Sequence, residues 1–114
     1  MLETRIGDFE ETIMLIVGIL GEDDAYAFKI SKAFESRTGR EISIGAVHST
    51  LDRLETKGFV KSALKNATSG RGDRRKRIFA ISALGKKVLK ESMEFKVDLW
   101  KQYPAFAGKL GFSA

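Results

Sequence analysis

The chain has 114 residues, 43% hydrophobic and 31% charged, which suits one soluble domain with a single modest core rather than a disordered polymer. Cysteine is absent and histidine occurs once, at His48, which excludes disulfides, thiolate zinc sites and histidine-rich metal centres; no cofactor is expected. The net charge of +5 is unevenly spread: residues 61–90 hold ten Lys and Arg against one acid, while residues 1–60 are acidic on balance. Such a segment directs a field at something anionic, where a merely solvated face would interleave both signs.

No apolar run approaches the ~20 residues that cross a bilayer. The N-terminal stretch gathers acids where a secretory leader would be basic, so no membrane association and a reducing cytoplasm are expected. The first helix is predicted to start at Asp8 as cap, with Glu11 at capping-box spacing. Phe9, Ile13, Ile16, Val17 and Leu20 form its apolar stripe, and Gly21 breaks it. A second helix is expected from about Ala25 to Thr38, burying Tyr26, Ile30 and Phe34 and ending at Gly39, with Glu22, Asp23 and Asp24 favoured at its N-terminus.

The third helix begins near Ile44 with Ser43 as N-cap and turns Val47, Leu51 and Leu54 inward. Gly45, Ala46, His48, Ser49, Asp52, Arg53 and Thr56 face outward, and the small residues of its first turns let the backbone approach another surface. Val60–Leu64 and Arg77–Ile81 alternate with period two, as half-buried strands should. Their connection, residues 65–76, is too long for a tight turn; Gly70 and Gly72 loosen it, and Arg71, Arg74, Arg75 and Lys76 crowd its returning limb. Arginine suits phosphate because its planar fork grips paired oxygens and keeps its charge. The lysine-threonine ending of a nucleotide-cradling loop is missing.

The last helix is predicted from Ser82 to before Pro104, with two apolar stripes. Leu84, Val88, Phe95 and Leu99 form one; Leu89, Met93, Val97 and Trp100 form the other, and the stripe centres lie roughly 130° apart at 3.6 residues per turn. One stripe can pack on its own domain. The other is met either by the same helix of a second subunit, or by a tail folded back through Phe106 to Phe112. The expected fold is mainly α with a small β-hairpin, a winged helix-turn-helix of order α-α-α-β-β-α with a C-terminal dimerisation helix. Its divisions are a winged-helix unit at 1–82, the helix at 83–103 and a tail at 104–114.

In this order the motifs resemble those of PadR-type winged-helix transcriptional regulators. Ser43, Gly45, Leu51, Arg53, Leu54, Glu55 and Gly58 match the Ser-x-Gly-x-x-Tyr-x-x-Leu-x-Arg-Leu-Glu-x-x-Gly signature of the family's recognition helix. Ala25-Tyr26-Ala27-Phe28-Lys29-Ile30 is similar to the family's Ala-Tyr-Gly-x-x-Ile, and Phe79–Gly85 to its Tyr-x-Leu-Thr-x-x-Gly. His48 stands where relatives usually carry tyrosine, and Ala27 where they carry glycine. Histidine still donates a hydrogen bond, but its charge responds to pH near neutrality.

The resemblance implies a homodimer on a pseudo-palindromic double-stranded DNA operator, repressing neighbouring transport or detoxification genes. Ser43, Ala46, His48, Ser49 and Arg53 would enter the major groove. Lys61, Arg71, Arg74, Arg75, Lys76 and Arg77 would meet phosphates. Arg53 has a structural alternative, an ion pair with an acid of its own helix. Leu89, Met93, Val97 and Trp100 would form the dimer seam. Some relatives are released by small aromatic or lipophilic effectors between subunits, for which Phe95 and Trp100 are the candidate lining, dimer core being their other reading. An enzyme would need converging catalytic groups, and one histidine on an outward helix face does not supply them. A protein-binding adaptor of the same fold, or a non-specific DNA binder, is the alternative, although the adaptor would not need the basic segment.

Overall fold

The computed structural model describes residues 6–66 and 75–106. In chain order these form α1 (Asp8–Leu20), α2 (Ala27–Thr38), α3 (Ile44–Thr56), β1 (Val60–Asn66), β2 (Arg75–Ile81) and α4 (Ala83–Gln102). This is the expected α-α-α-β-β-α order, and it makes a winged helix-turn-helix. Three helices and the base of the hairpin enclose one core, to which α1 contributes Ile13, Met14, Ile16 and Val17, α2 Ile30 and Phe34, and α3 Val47, Leu51 and Leu54. Phe59, Val60, Ile78 and Phe79 close it from the hairpin, and Val88 from α4.

The helix starts follow from local chemistry, with two corrections. Gly7, not Asp8, is the N-cap of α1, and its N–H donates to Glu10 Oε1 at 3.2 Å. The returning carboxylate is thus Glu10, one residue earlier than expected, while Glu11 turns to Lys96. Similarly, α2 starts at Ala27 with Tyr26 as N-cap, and no acid lies in its first turn. Tyr26 is only half-buried; Ala25 and Ala27 take the buried places beside it. Ala25 is held outside the helix because its N–H donates to Gly21 O at 3.2 Å and its carbonyl oxygen accepts the Phe79 N–H at 2.8 Å.

The end of α3 sets the direction of everything downstream. Gly58 adopts φ +84°, its N–H donates to Glu55 O, and the Phe59 N–H donates to Leu54 O, both at 2.9 Å. That Schellman closure packs buried Phe59 against buried Leu54 and aims the chain into β1. The turn is stitched to the start of α4: Ser82 N–H donates to Phe59 O (3.0 Å), and Ser82 Oγ donates to Gly58 O while accepting from Gly85 N–H. Gly85 is buried against this seam, where an added Cβ would lie 2.0 Å from Phe59 O.

The strands pair antiparallel from Val60↔Ile81 to Asn66↔Arg75, two residues longer on each strand than alternation alone suggested. The remainder of the wing, including Arg71 and Arg74, lies outside the described residues, as does the tail beyond Phe106. Helix α4 is buried only at its start, and farther along its tie to α1 is ionic, from Lys96 to Glu11 and Asp8. Gly85 and Val88 are buried, yet farther along Met93 is 52%, Phe95 65%, Leu99 50% and Trp100 46% exposed. The expectation that the Leu84–Leu99 stripe packs along its own domain therefore holds at Val88 alone, because a 20-residue helix is ~30 Å long and outruns the core. Leu89, expected on the far seam, packs against that core instead.

Candidate nucleic-acid interface

Helix α3 presents the face its sequence implied. Ser43 caps it by accepting the Ala46 N–H at 3.0 Å, and the first intrahelical bond runs from Val47 N–H to Ser43 O. The amides of Ile44 and Gly45 precede that ladder, so they point out of the N-terminus as donors, at the positive end of the dipole. Gly45, Ala46, His48, Ser49, Asp52, Arg53 and Thr56 all lie on the outward side, while Val47, Thr50, Leu51 and Leu54 are buried. A surface of small side chains, hydroxyls and one imidazole flanks an unshielded helix end.

Two acids organise the cations around this face. Glu10 of α1, its side chain 12% exposed, receives the Lys57 ammonium on both oxygens at 3.2 Å and the Arg53 Nε at 3.5 Å. Burial by itself raises the Glu10 carboxyl, but the Gly7 N–H, Lys57 and Arg53 outweigh it and hold the group below the usual carboxylate range. Arg53 also donates to Thr50 Oγ1 at 3.3 Å. Its acidic partner is thus on α1 rather than on its own helix, a contact across elements that spacing within α3 could not show.

The second acid is Glu55, at the C-terminal end of α3. Arg77 Nη2 donates to its Oε1 at 3.2 Å, Ser62 Oγ donates to its Oε2 at 2.9 Å, and Arg77 Nε donates to that same Ser62 hydroxyl at 2.9 Å. One residue each from α3, β1 and β2 closes this triad.

Strand alternation then sorts the remaining wing cations. With the observed register, Ser62, Leu64, Arg75 and Arg77 lie on the sheet face turned to α3, and Lys61, Ala63, Lys65 and Lys76 on the opposite one. Lys76 Nζ sits 4.0 Å from the centre of the Tyr26 ring, a cation–π contact at the start of α2. Lys61 and Lys65, with Lys86, line an open cleft of about 530 Å³ floored by Val17, Ile78 and Ile81. The structure therefore brings Ser43, Ala46, His48, Ser49 and Arg53 together on α3, with Arg77 tied to the C-terminal end of that helix through Glu55 and Arg75 on the same sheet face as Arg77. It sets Lys61 and Lys76 apart, which corrects the reading of one continuous basic surface.

The segment spanning residues 16–91, from the second half of α1 into α4, matches the model of the transcriptional regulator PadR-like family. The chain belongs to that family. It is a DNA-binding transcriptional regulator, not an enzyme. No curated sequence relative matches it. Among solved structures, a RosR complex designated RosR-S1 superposes with a TM-score of 0.69 at 21% identity, covering 92% of this chain and 85% of the other. A PadR-like transcription factor from Bacteroides fragilis gives 0.67 at 20% identity, with 85% and 87% covered. Bacillus subtilis PadR in complex with operator DNA gives 0.58 at 16% identity, with 75% of this chain and 47% of that one covered. At these identities the likeness establishes the winged-helix fold.

Within this PadR-like chain, sequence reasoning passed over Glu10 and the organising role of Glu55. Glu55 stood in the family motif and carried a usable signal, since an acid beside an outward arginine on a basic protein needs a cation to justify it. Glu10 gave none, because its partners lie over forty residues away.

Proposed function

We propose that this regulator binds a pseudo-palindromic duplex operator as a homodimer, each α3 entering a major groove and each wing meeting the adjacent backbone. The exposed, small-residue face of α3 carries the reading: Ser43, Ala46, His48 and Ser49 surround a capped helix end whose amides point outward. Ser43 and those amides suit a phosphate, and His48 is the side chain best able to read a base edge. Arg71, Arg74 and Arg75 of the wing supply phosphate contacts. Dimerisation through α4 would set two half-sites about 34–36 Å apart, or a multiple of that.

The exposed apolar face of α4 supports the dimer. Phe106 already folds back on Trp100 and Tyr103, with ring centres 5.1 Å apart in each pair, which covers part of the helix end. Exposed Met93 and half-buried Val97, with Trp100, form the seam. Lys96, Leu99, Trp100, Tyr103 and Phe106 line an open apolar cleft suited to a small aromatic effector; Trp100 is in that lining, and Phe95, the other candidate, is not. Repression of nearby transport or detoxification genes, relieved by such a ligand in the cytoplasm, is the regulatory reading. Among the described residues no helix is long and apolar enough to cross a membrane.

Binding to DNA upstream of the protein's own gene, measured against unrelated DNA over a salt series, tests the operator reading. Preference for the upstream fragment and a steep salt dependence are expected, and replacing Arg74 and Arg75 by alanine should flatten the log–log slope by roughly 0.9 for each phosphate no longer neutralised. Equal weak affinity for both fragments would instead mark a non-specific binder, and no affinity for either a protein adaptor. Quenching of Trp100 fluorescence by added hydrophobic aromatics tests the effector cleft.

A further inference from the structure

Arg77 was expected to grip phosphate, but its guanidinium is already committed. Both its Nε and an Nη atom are directed at α3 and β1, where Glu55 and Ser62 complete a three-membered ring of hydrogen bonds. Each member comes from a different element. Glu55 lies in the last turn of α3, well over one turn beyond Ser49. Ser62 and Arg77 lie on adjacent strands, flanking the Ala63↔Ile78 pair. A two-stranded hairpin is marginal by itself, and its direction must be fixed by whatever holds its base. Below the triad the hairpin is fixed by buried Phe59, Val60 and Phe79; above it Leu64 is exposed, and the contacts made there, Lys65 to Glu22 O at 3.2 Å and Lys76 over the Tyr26 ring, lie on the sheet face turned away from α3. The triad is the outermost described link between the recognition helix and the wing.

We infer that Glu55, Ser62 and Arg77 are positioning residues: together they set the angle between α3 and the wing, so that both reach the duplex in register. This rests on the DNA-binding reading above and deepens it. Arg77 then acts through geometry rather than as a phosphate ligand, and Glu55 strengthens DNA binding although it is an anion facing a polyanion.

That last consequence gives the two roles of Arg77 opposite signs. If Arg77 were a phosphate ligand held back by Glu55, removing the carboxylate would free it, tighten binding and steepen the salt slope. If the triad positions the wing, Glu55→Ala weakens operator binding by roughly tenfold, within the range typical of separating coupled neighbours, with the slope unchanged. Glu55→Gln keeps an acceptor for Arg77 and should recover most of the affinity. Arg77→Lys keeps the charge but loses the fork, and should fall nearly as far as Arg77→Ala. The Glu55→Ala/Arg77→Ala pair should be no worse than the poorer single variant.

The measurements are operator and unrelated-DNA affinities across a salt series, at a temperature where circular dichroism shows each variant folded. The ratio of the two affinities separates positioning from stability, since a merely stabilising triad would leave that ratio untouched in a folded variant. Should Glu55→Ala fail to fold, Ser62→Ala removes the central hydroxyl more gently and carries the same expectation of a lowered ratio. Tighter binding, an unchanged ratio, or full activity of Arg77→Lys overturns the inference. A wild-type protein indifferent to DNA sequence and salt would instead overturn the operator reading beneath it, so the two failures are distinct.

Discussion

Three single residues carry tests of the local arguments. Gly85 is buried where an added methyl would lie 2.0 Å from the Phe59 carbonyl oxygen, and that oxygen is fixed by the Ser82 N–H. Gly85→Ala should therefore destabilise by about 3 kcal/mol, the upper part of the usual overpacking range, because backbone rather than a flexible side chain must yield. A thermal or denaturant melt reads this directly. Ser43→Ala removes the cap that accepts Ala46 N–H and should cost ~1 kcal/mol. Leu51 is wholly buried, so Leu51→Ala should cost ~2–5 kcal/mol by opening a cavity. Ser43 and Leu51 were legible because a helix cap and an inward stripe show in residues a few positions apart, whereas Gly85 stood out only as a match to the family motif, the Phe59 carbonyl it packs against being remote in the chain. Arg53 was not, because its partner Glu10 lies across the fold in α1.

Between elements, ion pairs decide how helices lean on one another. Glu10 ties α1 to Arg53 and Lys57 of the α3 end, and its carboxyl is held below the ordinary range. A depressed carboxyl contributes stability above the unfolded-state value, and that stability is lost as pH falls through the folded value. Acidification below the usual carboxylate range should accordingly narrow the stability gap between wild type and Glu10→Gln, as followed by melts across pH. Lys96 of α4 has the opposite sign: its hydrogen bond to Glu11 raises it, aided by Asp8, so its contribution is complete below the unfolded lysine value and fades only as pH rises through the folded one. Both strands were visible as period-two patterns, but neither the register nor the sorting of Lys61 and Lys76 away from Arg75 and Arg77 was. Strand alternation divides a run of like charges between two faces, and only the pairing tells which face meets α3.

At the scale of the whole molecule, α4 extends from the core, and the described residues span 56 × 31 × 23 Å. A helix so little covered by its own domain, with Met93 and Phe95 more than half exposed, supports the proposed homodimer. Met93→Glu should leave the winged-helix core intact while shifting a dimer toward monomer in sedimentation equilibrium. Operator affinity should fall with it, since two half-sites are then no longer held on one particle.

By itself the sequence determined the element order, the inward stripes of α1 and α3, the cap at Ser43 and the family, since these depend on residues a few positions apart and on the periods of helix and strand. Only the tertiary structure decided which acid holds which arginine, which wing cations share a face with α3, and how little of α4 the core covers. Those outcomes depend on distances between residues remote in the chain, and on the length of a helix relative to the body that must bury it. No local pattern encodes either.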